Sequence, residues 1–520
     1  MLEPLKSQFK KGPVVLVSRP IAFTFPLSYA YLAGYLREKG EDVRVLFKTQ
    51  NPSQLVNHIM RLNPLLVGLG NLYPELKEIR EIVDMLDNAG RKFPIVIGGQ
   101  MVTPIPKFAV KVTGADFGVI GEGEIILHNL VGALREGKDP LTVKGLAVRQ
   151  GDDVILTGQG EVIEDINYLP PVPYDLFPTE QWLPIGRWYV ENVPQPHWRF
   201  EDRVINVHGG RGCPFTCNFC YHHSKARYRK IPQMMDEAAE ALERFNGNML
   251  YFSDDLVLAT PSRARQLVDA IKLLKKPIQY SVSARIDTLA KLDDSLLLEM
   301  KETGCRIMGL GIESGSDRIL KTIGKRFTAE NVLNGLERLE RVGILPTVSI
   351  MVGQQSETKE DVELSIELMR KSVRNNPNIQ YAFTITTPFP GSNLYNLIFE
   401  KGYLKDDQEF YDKYFSDSKI GDWNYVVNLS GMTDEEVIQM FKKINRVYEE
   451  EKAKNVKLMA SKVELLQLIF GRVKNEFHNR VFSKLPKQGV LSFIPRIYDL
   501  MYELIQRNLD RFRLRLRGLI

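Results

Sequence analysis

The feature that most constrains the fold of this chain is an alternation of short apolar runs with helical patterns in its first 150 residues. Each apolar run is typical of a buried parallel strand, and the segments between the runs have the apolar spacing of amphipathic helices. The predicted strands are Val14–Ser18, Val43–Phe47, Leu65–Leu69, Pro94–Ile97 and Ala115–Ile120. Strands that alternate with helices in this way predict an α/β fold with a doubly wound parallel sheet.

A second alternation begins near residue 203 and contains six β/α units. The predicted strands are Val204–His208, Met249–Phe252, Ile278–Val282, Ile307–Ile312, Thr347–Val352 and Tyr381–Thr386. Six consecutive units predict a partial parallel (β/α)6 barrel, with functional residues at the carboxyl ends of its strands. Between the two regions, the segment INYLPPVPYDLFP contains four prolines, which predict a linker.

These patterns divide the chain of 520 residues into an α/β domain (1–150), a linker (151–200), a barrel (201–405) and a C-terminal α-helical domain (406–520). The hydrophobic fraction of 44% and the charged fraction of 26% are ordinary for globular proteins and exclude extensive disorder. The longest uncharged apolar run near the start has 16 residues, fewer than the roughly 20 that a membrane span needs. The N-terminus also lacks the pattern of a secretory signal, so we expect a cytoplasmic protein.

The net charge of +5 is unevenly distributed. Residues 452–520 carry 15 Lys and Arg against 5 Asp and Glu, whereas the rest of the chain carries 54 against 59. The helical patterns in this basic tail place apolar stripes beside arginines. Two interpretations stay open: the stripes form a protein core, or the helices lie peripherally on the anionic inner face of the membrane. Nucleic-acid binding is disfavoured because the aromatic residues lie on the apolar stripe rather than among the arginines.

Three of the four cysteines, Cys213, Cys217 and Cys220, lie together in GGRGCPFTCNFC, directly after the first predicted barrel strand. This grouping favours a metal or redox site over a disulfide framework. C-x3-C-x2-C supplies three soft thiolates, and an iron–sulfur cube held by three cysteines keeps one iron open. A zinc site completed by His222 and His223 is the alternative. Both histidines, however, follow the last cysteine so closely in the sequence that tetrahedral geometry would be cramped.

This cysteine spacing, with an aromatic residue before the last cysteine, resembles the radical S-adenosylmethionine (SAM) superfamily. The similarity extends to DD at 254–255, SARID at 283–287, GIESGS at 311–316 and TPFPGSNLY at 387–395. The resemblance implies that the three cysteines ligate a 4Fe-4S cluster whose open iron chelates SAM. It also implies that an electron from a reductant such as flavodoxin or ferredoxin cleaves SAM to a 5′-deoxyadenosyl radical.

The same resemblance implies a set of residues around SAM. They are Phe219, Asp254, Asp255, Ser283, Arg285, Glu313 and Ser314. The phenylalanine backbone would lie near the adenine and the aspartate pair near the methionine amino group, with the arginine pairing with the carboxylate. The glutamate and serine of GIESGS would reach the ribose. The family's G-x-P-x-E-T motif lacks its proline here, where the chain reads GQQSET at 353–358.

Glycines follow three successive strands of the first domain, in pairs at 68 and 70, 98 and 99, and 121 and 123. They would let a large planar or phosphate-bearing ligand approach the backbone closely, although turn glycines without a ligand are the alternative. The absence of G-x-G-x-x-G disfavours an ordinary dinucleotide site. The motifs at 26–40, 98–103 and 118–124 resemble the Rossmann-like cobalamin-binding domain that is fused to some radical SAM enzymes. The implied cobalamin contacts are Gly70, Asn71, Gly98, Gly99, Gln100, Gly121, Glu122 and Gly123.

The implied leading function is cobalamin-dependent C-methylation of an unactivated carbon, in a membrane lipid or another apolar small molecule. The alternative is a radical C–C bond-forming, cyclising or oxidising enzyme acting on a lipid or tetrapyrrole, with cobalamin non-methylating or absent. A non-catalytic iron–sulfur protein is a second alternative. Because D-x-H-x-x-G is absent, bound cobalamin would lack a protein histidine as its lower ligand. Cys305 is expected to be a buried apolar residue.

Overall fold

The computed structural model describes residues 11–19, 25–48, 51–183, 202–222, 224–420 and 423–459. Within these residues the first sheet has seven strands: β1 (Val14–Ser18), β2 (Val43–Phe47), β3 (Leu66–Asn71), β4 (Ile95–Gly99), β5 (Phe117–Val119), β6 (Leu146–Gln150) and β7 (Asp153–Leu156). Their order is β2-β1-β3-β4-β5-β6-β7, and the first five are parallel. The predicted doubly wound sheet is confirmed. The antiparallel strands β6 and β7 extend it to Leu156, so a boundary at residue 150 would cut a hairpin.

Helices cover both faces of this sheet. They are α1 (Leu27–Glu38), α2 (Pro52–Leu62), α3 (Leu76–Asn88), α4 (Pro106–Thr113) and α5 (Gly123–Glu136). Helices α1 and α5 bury their apolar stripes on one face, and α2, α3 and α4 bury theirs on the other. Asn51 caps α2 by accepting from the backbone of Gln54, and Gly137 ends α5 in the left-handed conformation. Helix α4 has only eight residues, too few to give clear helical periodicity in the sequence.

The second sheet is the barrel wall. Its region contains β8 (Val204–Val207), β9 (Gly210–Arg211), β10 (Arg227–Tyr228), β11 (Met249–Phe252), β12 (Gln279–Ala284), β13 (Cys305–Glu313), β14 (Leu345–Val352) and β15 (Gln380–Ile385). Six of these strands form a parallel sheet in the order β15-β14-β13-β12-β11-β8, which confirms the partial barrel. The two short strands β9 and β10 form a separate antiparallel ladder.

The barrel helices alternate with its strands and pack on the outside of the sheet. They are α6 (Ile231–Arg244), α7 (Pro261–Lys272), α8 (Ile286–Leu289), α9 (Asp294–Glu302), α10 (Asp317–Thr322), α11 (Ala329–Val342) and α12 (Lys359–Asn375). Several begin at a hydroxyl or carboxyl cap, such as Thr260 before α7 and Asp293 before α9. The carboxyl ends of the strands therefore all point to one rim, where the cysteine-bearing segment lies.

The segment after the barrel packs partly on the first α/β domain and partly on the barrel, which we call the first and second units. It contains α13 (Asn393–Glu400), α14 (Asp407–Tyr414), β16 (Lys419–Ile420), β17 (Trp423–Asn424) and α15 (Asp434–Met459). Helices α13 and α14 pack on the first unit, where the Tyr73 ring lies 5.5 Å from Phe410 and 5.2 Å from Tyr414. Helix α15 packs on α12, β14 and β15. The described part of residues 406–520 therefore does not form a separate helical domain.

Helix α15 begins at a capping box, in which Thr433 and Glu436 form reciprocal side-chain to backbone hydrogen bonds. The basic helices predicted beyond it, in residues 460–520, lie outside the described residues. Among the helices of the described ranges, none is long and apolar enough to cross a membrane.

Candidate cofactor site

The three clustered cysteines lie in a loop of residues 212–226, which we call the cysteine loop. The β9–β10 ladder closes it, with Arg211 opposite Arg227. Within the loop, the Cys220 amide donates to the Cys217 carbonyl at 3.1 Å, so a tight turn holds these two residues together. All three cysteines are free thiols; Cys213 and Cys217 are half-buried and Cys220 is exposed.

The chemistry of this donor set fits an iron–sulfur cluster. Burial would raise the pKa of the Cys213 thiol, but hydrogen bonds with His222 and with the Phe215 backbone outweigh it, so the pKa is lowered. A lowered pKa favours the thiolate, which is the metal ligand. Each cysteine of a cube binds a different iron, so the sulfurs need not converge on one point. In the described part of the chain, no three His, Cys, Asp or Glu side chains are gathered to hold a single metal ion.

The zinc alternative is weakened by the surroundings of His222. Its Nε2 lies 3.3 Å from Cys220 Sγ, but its Nδ1 lies 3.3 Å from an Asp255 carboxylate oxygen. Both ring nitrogens therefore already have close neighbours. His223, the second histidine of that alternative, lies outside the described residues.

Arg285 lies against the cysteine loop. Its guanidinium stacks 3.6 Å from the centroid of the Phe215 ring, and its Nη1 lies 3.7 Å from Cys217 Sγ. Its Nε and Nη2 donate to Asp287 at 2.9 and 3.2 Å. The Arg285 guanidinium is therefore held in one orientation beside the loop. The sequence predicts that it pairs with the SAM carboxylate. That contact stays a prediction.

Asp254 follows β11 and is buried beside the start of the cysteine loop. Its Oδ1 accepts from the Gly209 amide at 2.7 Å, whereas no described residue donates to its buried Oδ2. Burial raises the pKa of this carboxyl to about 7. Ser283 donates to the Asp254 carbonyl at 3.2 Å and so fixes this turn from β12. A buried carboxylate oxygen without a hydrogen-bond donor can accept a hydrogen bond from a cationic amine, which fits the role predicted for Asp254.

Glu313 ends β13 with φ +71°, a strained conformation for a residue with a side chain. Its carboxylate accepts from Lys325 at 3.3 Å and from Ser349 at 3.0 Å. The Lys325 ammonium also lies 5.7 Å from the centroid of the Phe219 ring, which links this strand end to the cysteine loop. Sequence reasoning missed Lys325, because a loop lysine is ordinarily solvated.

Ser314 is buried against α12. Its hydroxyl lies 3.3 Å from Ser365 of α12 and accepts from the Ser316 amide at 3.1 Å. The side chain is completely buried in these contacts. They anchor α12, which gives this serine a packing role, and its contact with the ribose stays a prediction.

A cavity of about 400 Å³ lies between the carboxyl ends of the first sheet and the cysteine loop. Seven of the eight predicted cobalamin contacts line it: Gly70, Gly98, Gly99, Gln100, Gly121, Glu122 and Gly123. Asn71 ends β3, and its side chain is outside the described atoms. The opposite wall comes from the barrel, through His208, Arg211, Gly212, Ser224, Ser253 and Asp255. The two units therefore enclose one space.

The glycines of this wall serve different purposes. A Cβ at Gly98 would meet only Val119, at 3.8 Å, and one at Gly121 would meet no heavy atom within 4 Å. Their missing side chains leave room in the cavity. A Cβ at Gly70 would lie 2.4 Å from the carbonyl oxygen of Gly98, and one at Gly123 would lie 2.9 Å from Leu32. Gly70 also has φ +130°, so backbone conformation and packing both require that glycine, whereas the end of the Leu32 side chain can move away from a side chain at position 123. The open part of the cradle that suits a large ring therefore consists mainly of Gly98 and Gly121.

Sequence reasoning also missed His208, which directly follows β8 and lies on the cavity wall. Burial lowers the pKa of its imidazole to about 4, so the ring is neutral near pH 7. Its ring centroid lies 5.9 Å from that of Tyr31 in α1, so it packs across the junction of the two units. A single histidine after a strand has no spacing that distinguishes it in the sequence.

Two family models match the chain. The model described as the B12 binding domain matches residues 14–131, from β1 into α5. The model described as the Radical SAM superfamily matches residues 207–369, which contain the whole cysteine loop. The chain belongs to the radical SAM enzymes that carry a B12-binding domain. The fold, the enzyme assignment and the cofactor set of this family, predicted as a 4Fe-4S cluster, SAM and cobalamin, are confirmed at this level.

The relatives of this radical SAM enzyme include an uncharacterized methyltransferase of Pyrococcus horikoshii, 28% identical over 404 residues, which span 76% of this chain and 81% of the relative. An anaerobic magnesium-protoporphyrin IX monomethyl ester cyclase of Rubrivivax gelatinosus is 24% identical over 399 residues, covering 74% and 68%. Among solved structures, the cobalamin-dependent SAM radical enzyme OxsB, with aqua-cobalamin and SAM bound, has a TM-score of 0.64 at 15% identity. That similarity covers 98% of this chain and 82% of OxsB, and it establishes the shared fold.

Proposed function

We propose that the enzyme is a cobalamin-dependent C-methyltransferase that acts on an unactivated carbon of an apolar substrate. The observation that carries this proposal is the single cavity with one wall from each unit. When bound, cobalamin would supply a methyl carrier and the cluster with SAM would supply a hydrogen-abstracting radical. Because the glycine wall and the cysteine loop face the same space, both chemistries can reach one substrate carbon.

The residues of this chain would bind and orient the reactants. Cys213, Cys217 and Cys220 would hold the cluster, and the open oxygen of Asp254 would accept a hydrogen bond from the SAM amino group. Arg285, stacked on Phe215, would face the SAM carboxylate with a fork already held in place. Each of these groups is positioned by protein contacts before any ligand binds, which reduces the entropic cost of assembling the site.

The cavity wall also supports an apolar ring system as occupant. Leu27 and Leu32 of α1 and Leu127 of α5 contribute to its lining, next to the backbone of Gly98 and Gly121. Ligand sites of this kind combine apolar walls with a few fixed polar groups. Such a wall excludes water from the space where a carbon radical would have to survive.

Anaerobic turnover with methyl-labelled SAM, an electron donor and a cell extract tests this proposal. Radical SAM chemistry needs that electron donor, for which flavodoxin or ferredoxin is our choice. A methyltransferase of this kind forms both S-adenosylhomocysteine and 5′-deoxyadenosine and transfers label to a product carbon, which mass spectrometry will identify. Formation of 5′-deoxyadenosine without S-adenosylhomocysteine or labelled product contradicts the proposal.

A second candidate is a radical cyclising or oxidising enzyme acting on a tetrapyrrole or lipid. The similarity to the Rubrivivax gelatinosus cyclase over 74% of the chain favours it. In that case 5′-deoxyadenosine forms alone and the substrate loses hydrogen without gaining a methyl group. The ratio of the two nucleoside products therefore separates the candidates before the substrate is known.

The proposal of a membrane-associated substrate rests on the charge of the C-terminal tail. Residues 452–520 carry an excess of ten positive charges, 15 minus 5, which favours contact with anionic lipid. We propose that this contact brings the enzyme to an apolar substrate at the inner face of the membrane. Co-sedimentation with liposomes, described below, tests it independently of turnover.

A further inference from the structure

Four charged side chains join the two units beside the cavity. Arg211 donates to Glu122 Oε2 at 2.7 Å and to Glu124 Oε1 at 2.5 Å, and Arg227 donates to the other oxygen of Glu122. The exposed fractions of the side chains are 3% and 5% for the glutamates and 13% and 15% for the arginines. We call these four residues the interdomain clamp.

On the barrel side, the clamp holds the base of the cysteine loop. Arg211 and Arg227 are direct partners in the β9–β10 ladder, so all three cysteines lie in the chain between them. Both guanidiniums reach the same carboxylate, Glu122, which belongs to the other unit. A guanidinium that forms directed hydrogen bonds tolerates little rotation, so the position of the loop depends on that carboxylate.

On the side of the first unit, the clamp is continuous with the cavity wall. Glu122 stands between Gly121 and Gly123, which both line the cavity. The Gly121 amide donates to the Thr103 hydroxyl at 3.0 Å, and the Thr103 hydroxyl lies 3.3 Å from the Gly99 carbonyl oxygen. A ring resting on this wall therefore touches the same short segment that carries the clamp carboxylate.

We propose that Glu122 is a positioning residue that couples the two cofactor sites, so that cobalamin in the cavity slows the loss of the cluster. The inference rests on the proposed function. A ligand that fixes Gly121–Gly123 fixes Glu122, Glu122 fixes both arginines, and the arginines hold the cysteine loop closed around the cluster. By linkage, the cluster strengthens the binding of cobalamin by the same factor by which cobalamin stabilises the bound cluster.

The chain offers a matched control at the other end of the same strand. Asp116 precedes β5, whereas Glu122 follows it, and Asp116 also pairs with two arginines, Arg91 at 2.6 Å and Arg149 at 3.4 Å. Its side chain is 7% exposed. Asp116→Asn therefore removes a buried carboxylate with two arginine partners from the same unit, far along the strand from the cavity.

The experiment measures iron release from the anaerobically reconstituted holoprotein to a chelator, with and without hydroxocobalamin. In the wild type, hydroxocobalamin should slow release by about 10-fold, the value expected when a typical coupling free energy between two sites appears fully in the release rate. In Glu122→Gln this ratio should fall to near 1, and in Asp116→Asn it should keep the wild-type value. Each ratio compares iron release with and without hydroxocobalamin in the same variant, so a general loss of stability affects both rates and cancels from the ratio.

A second variant guards against misfolding of the first. Arg227→Lys keeps the charge but loses the guanidinium fork, so its ratio should lie between those of the wild type and Glu122→Gln. A wild-type ratio in Glu122→Gln, with cobalamin bound, overturns the inference while leaving the proposed function intact. A wild type that binds cobalamin but shows no slowing does the same. Absence of cobalamin binding, seen by absorbance, overturns the proposed function and the inference together.

Discussion

Replacement of Gly98 by leucine should block the cavity while leaving the fold intact. Gly98 is the second-to-last residue of β4, and its φ lies outside the left-handed region, so a side chain causes no backbone strain there. Its Cβ would make an ordinary contact with Val119 at 3.8 Å. The rest of the leucine side chain would then extend into the cavity of about 400 Å³.

The size of the effect follows from the volume removed. A leucine side chain adds four carbons, each at least as bulky as a water molecule, so it takes up a substantial part of the cavity. A rigid ligand can then bind only if it or the surrounding wall shifts. Overpacking of this kind costs about 1–3 kcal/mol. The affinity for cobalamin should therefore fall by about 5- to 150-fold.

Titration of hydroxocobalamin into the anaerobically reconstituted protein, followed by absorbance, measures this loss. Gly132→Leu is the control, because Gly132 lies in α5, where its Cβ would meet no heavy atom within 4 Å, and it does not line the cavity. Circular dichroism melting and iron content should match the wild type in both variants. Wild-type affinity in Gly98→Leu, or an equal loss in Gly132→Leu, refutes the assignment of this cavity.

Three further predictions concern the cluster, a buried aspartate and the tail. Cys213→Ala should abolish the 4Fe-4S cluster and reductive SAM cleavage, whereas Cys305→Ala should keep both, because that thiol is buried in the barrel core; iron content and 5′-deoxyadenosine will show this. Asp254→Asn should raise the melting temperature more at pH 8 than at pH 5 and weaken SAM binding in a filter assay. A chain ending at residue 459 should not co-sediment with the anionic liposomes that the full chain binds at low salt, because each Lys or Arg contributes about 1 kcal/mol at such a surface.

The sign of the Asp254 effect follows from linkage. Burial raises the folded-state pKa of this carboxyl to about 7, above the value of about 3.9 in the unfolded chain. Protonated aspartate is therefore favoured in the folded state, and its ionisation destabilises the fold progressively as the pH rises from about 4 to 7. The amide removes this cost and still accepts from Gly209. Identical melting shifts at the two pH values would contradict the argument.

The other two predictions also have defined failures. Full SAM cleavage by Cys213→Ala excludes the cysteine loop as the cluster site. Equal liposome binding with and without residues 460–520 removes the argument for membrane contact. The truncation has to follow α15, because the Glu451 side chain is buried and pairs with Arg374 of α12 at 3.2 Å. Ending the chain near residue 451 would disturb the barrel as well as the tail.

The sheets could be predicted because buried parallel strands are nearly continuous apolar runs. The strand Met249–Phe252 has the predicted bounds. The strand Cys305–Glu313 is longer than its predicted apolar run, Ile307–Ile312, because its end residues are paired by the neighbouring strands of the sheet. The β9–β10 ladder could not be predicted, since two residues a side show no periodicity. The packing of helices α13 and α14 on the first unit could not be predicted, because their aromatic faces meet residues several hundred positions earlier in the chain.

The candidate site also has residues that the sequence could predict and residues that it could not. The cysteines were found because three ligands lie within eight residues, which makes their spacing a local signal. The interdomain clamp joins residues 89 and 105 positions apart, and no local pattern marks such a pair. Glu122 was selected from its GEGE context as a cobalamin contact, and the residue does line the cavity. Its carboxylate, however, is occupied by Arg211 and Arg227, a role that appears only once the two units are in contact.

The spacing between the two cofactor sites is therefore a property of the protein before any ligand binds. Two separate contacts fix the units relative to each other: the interdomain clamp and the aromatic packing of Tyr73 against α14. The clamp is directional, whereas the aromatic packing supplies buried area. Two attachments at different places oppose rotation about either one. The proposed methylation, in which a substrate carbon meets a radical source and a methyl carrier in turn, needs such a fixed geometry, because a mobile pair of domains would let water into the space between them.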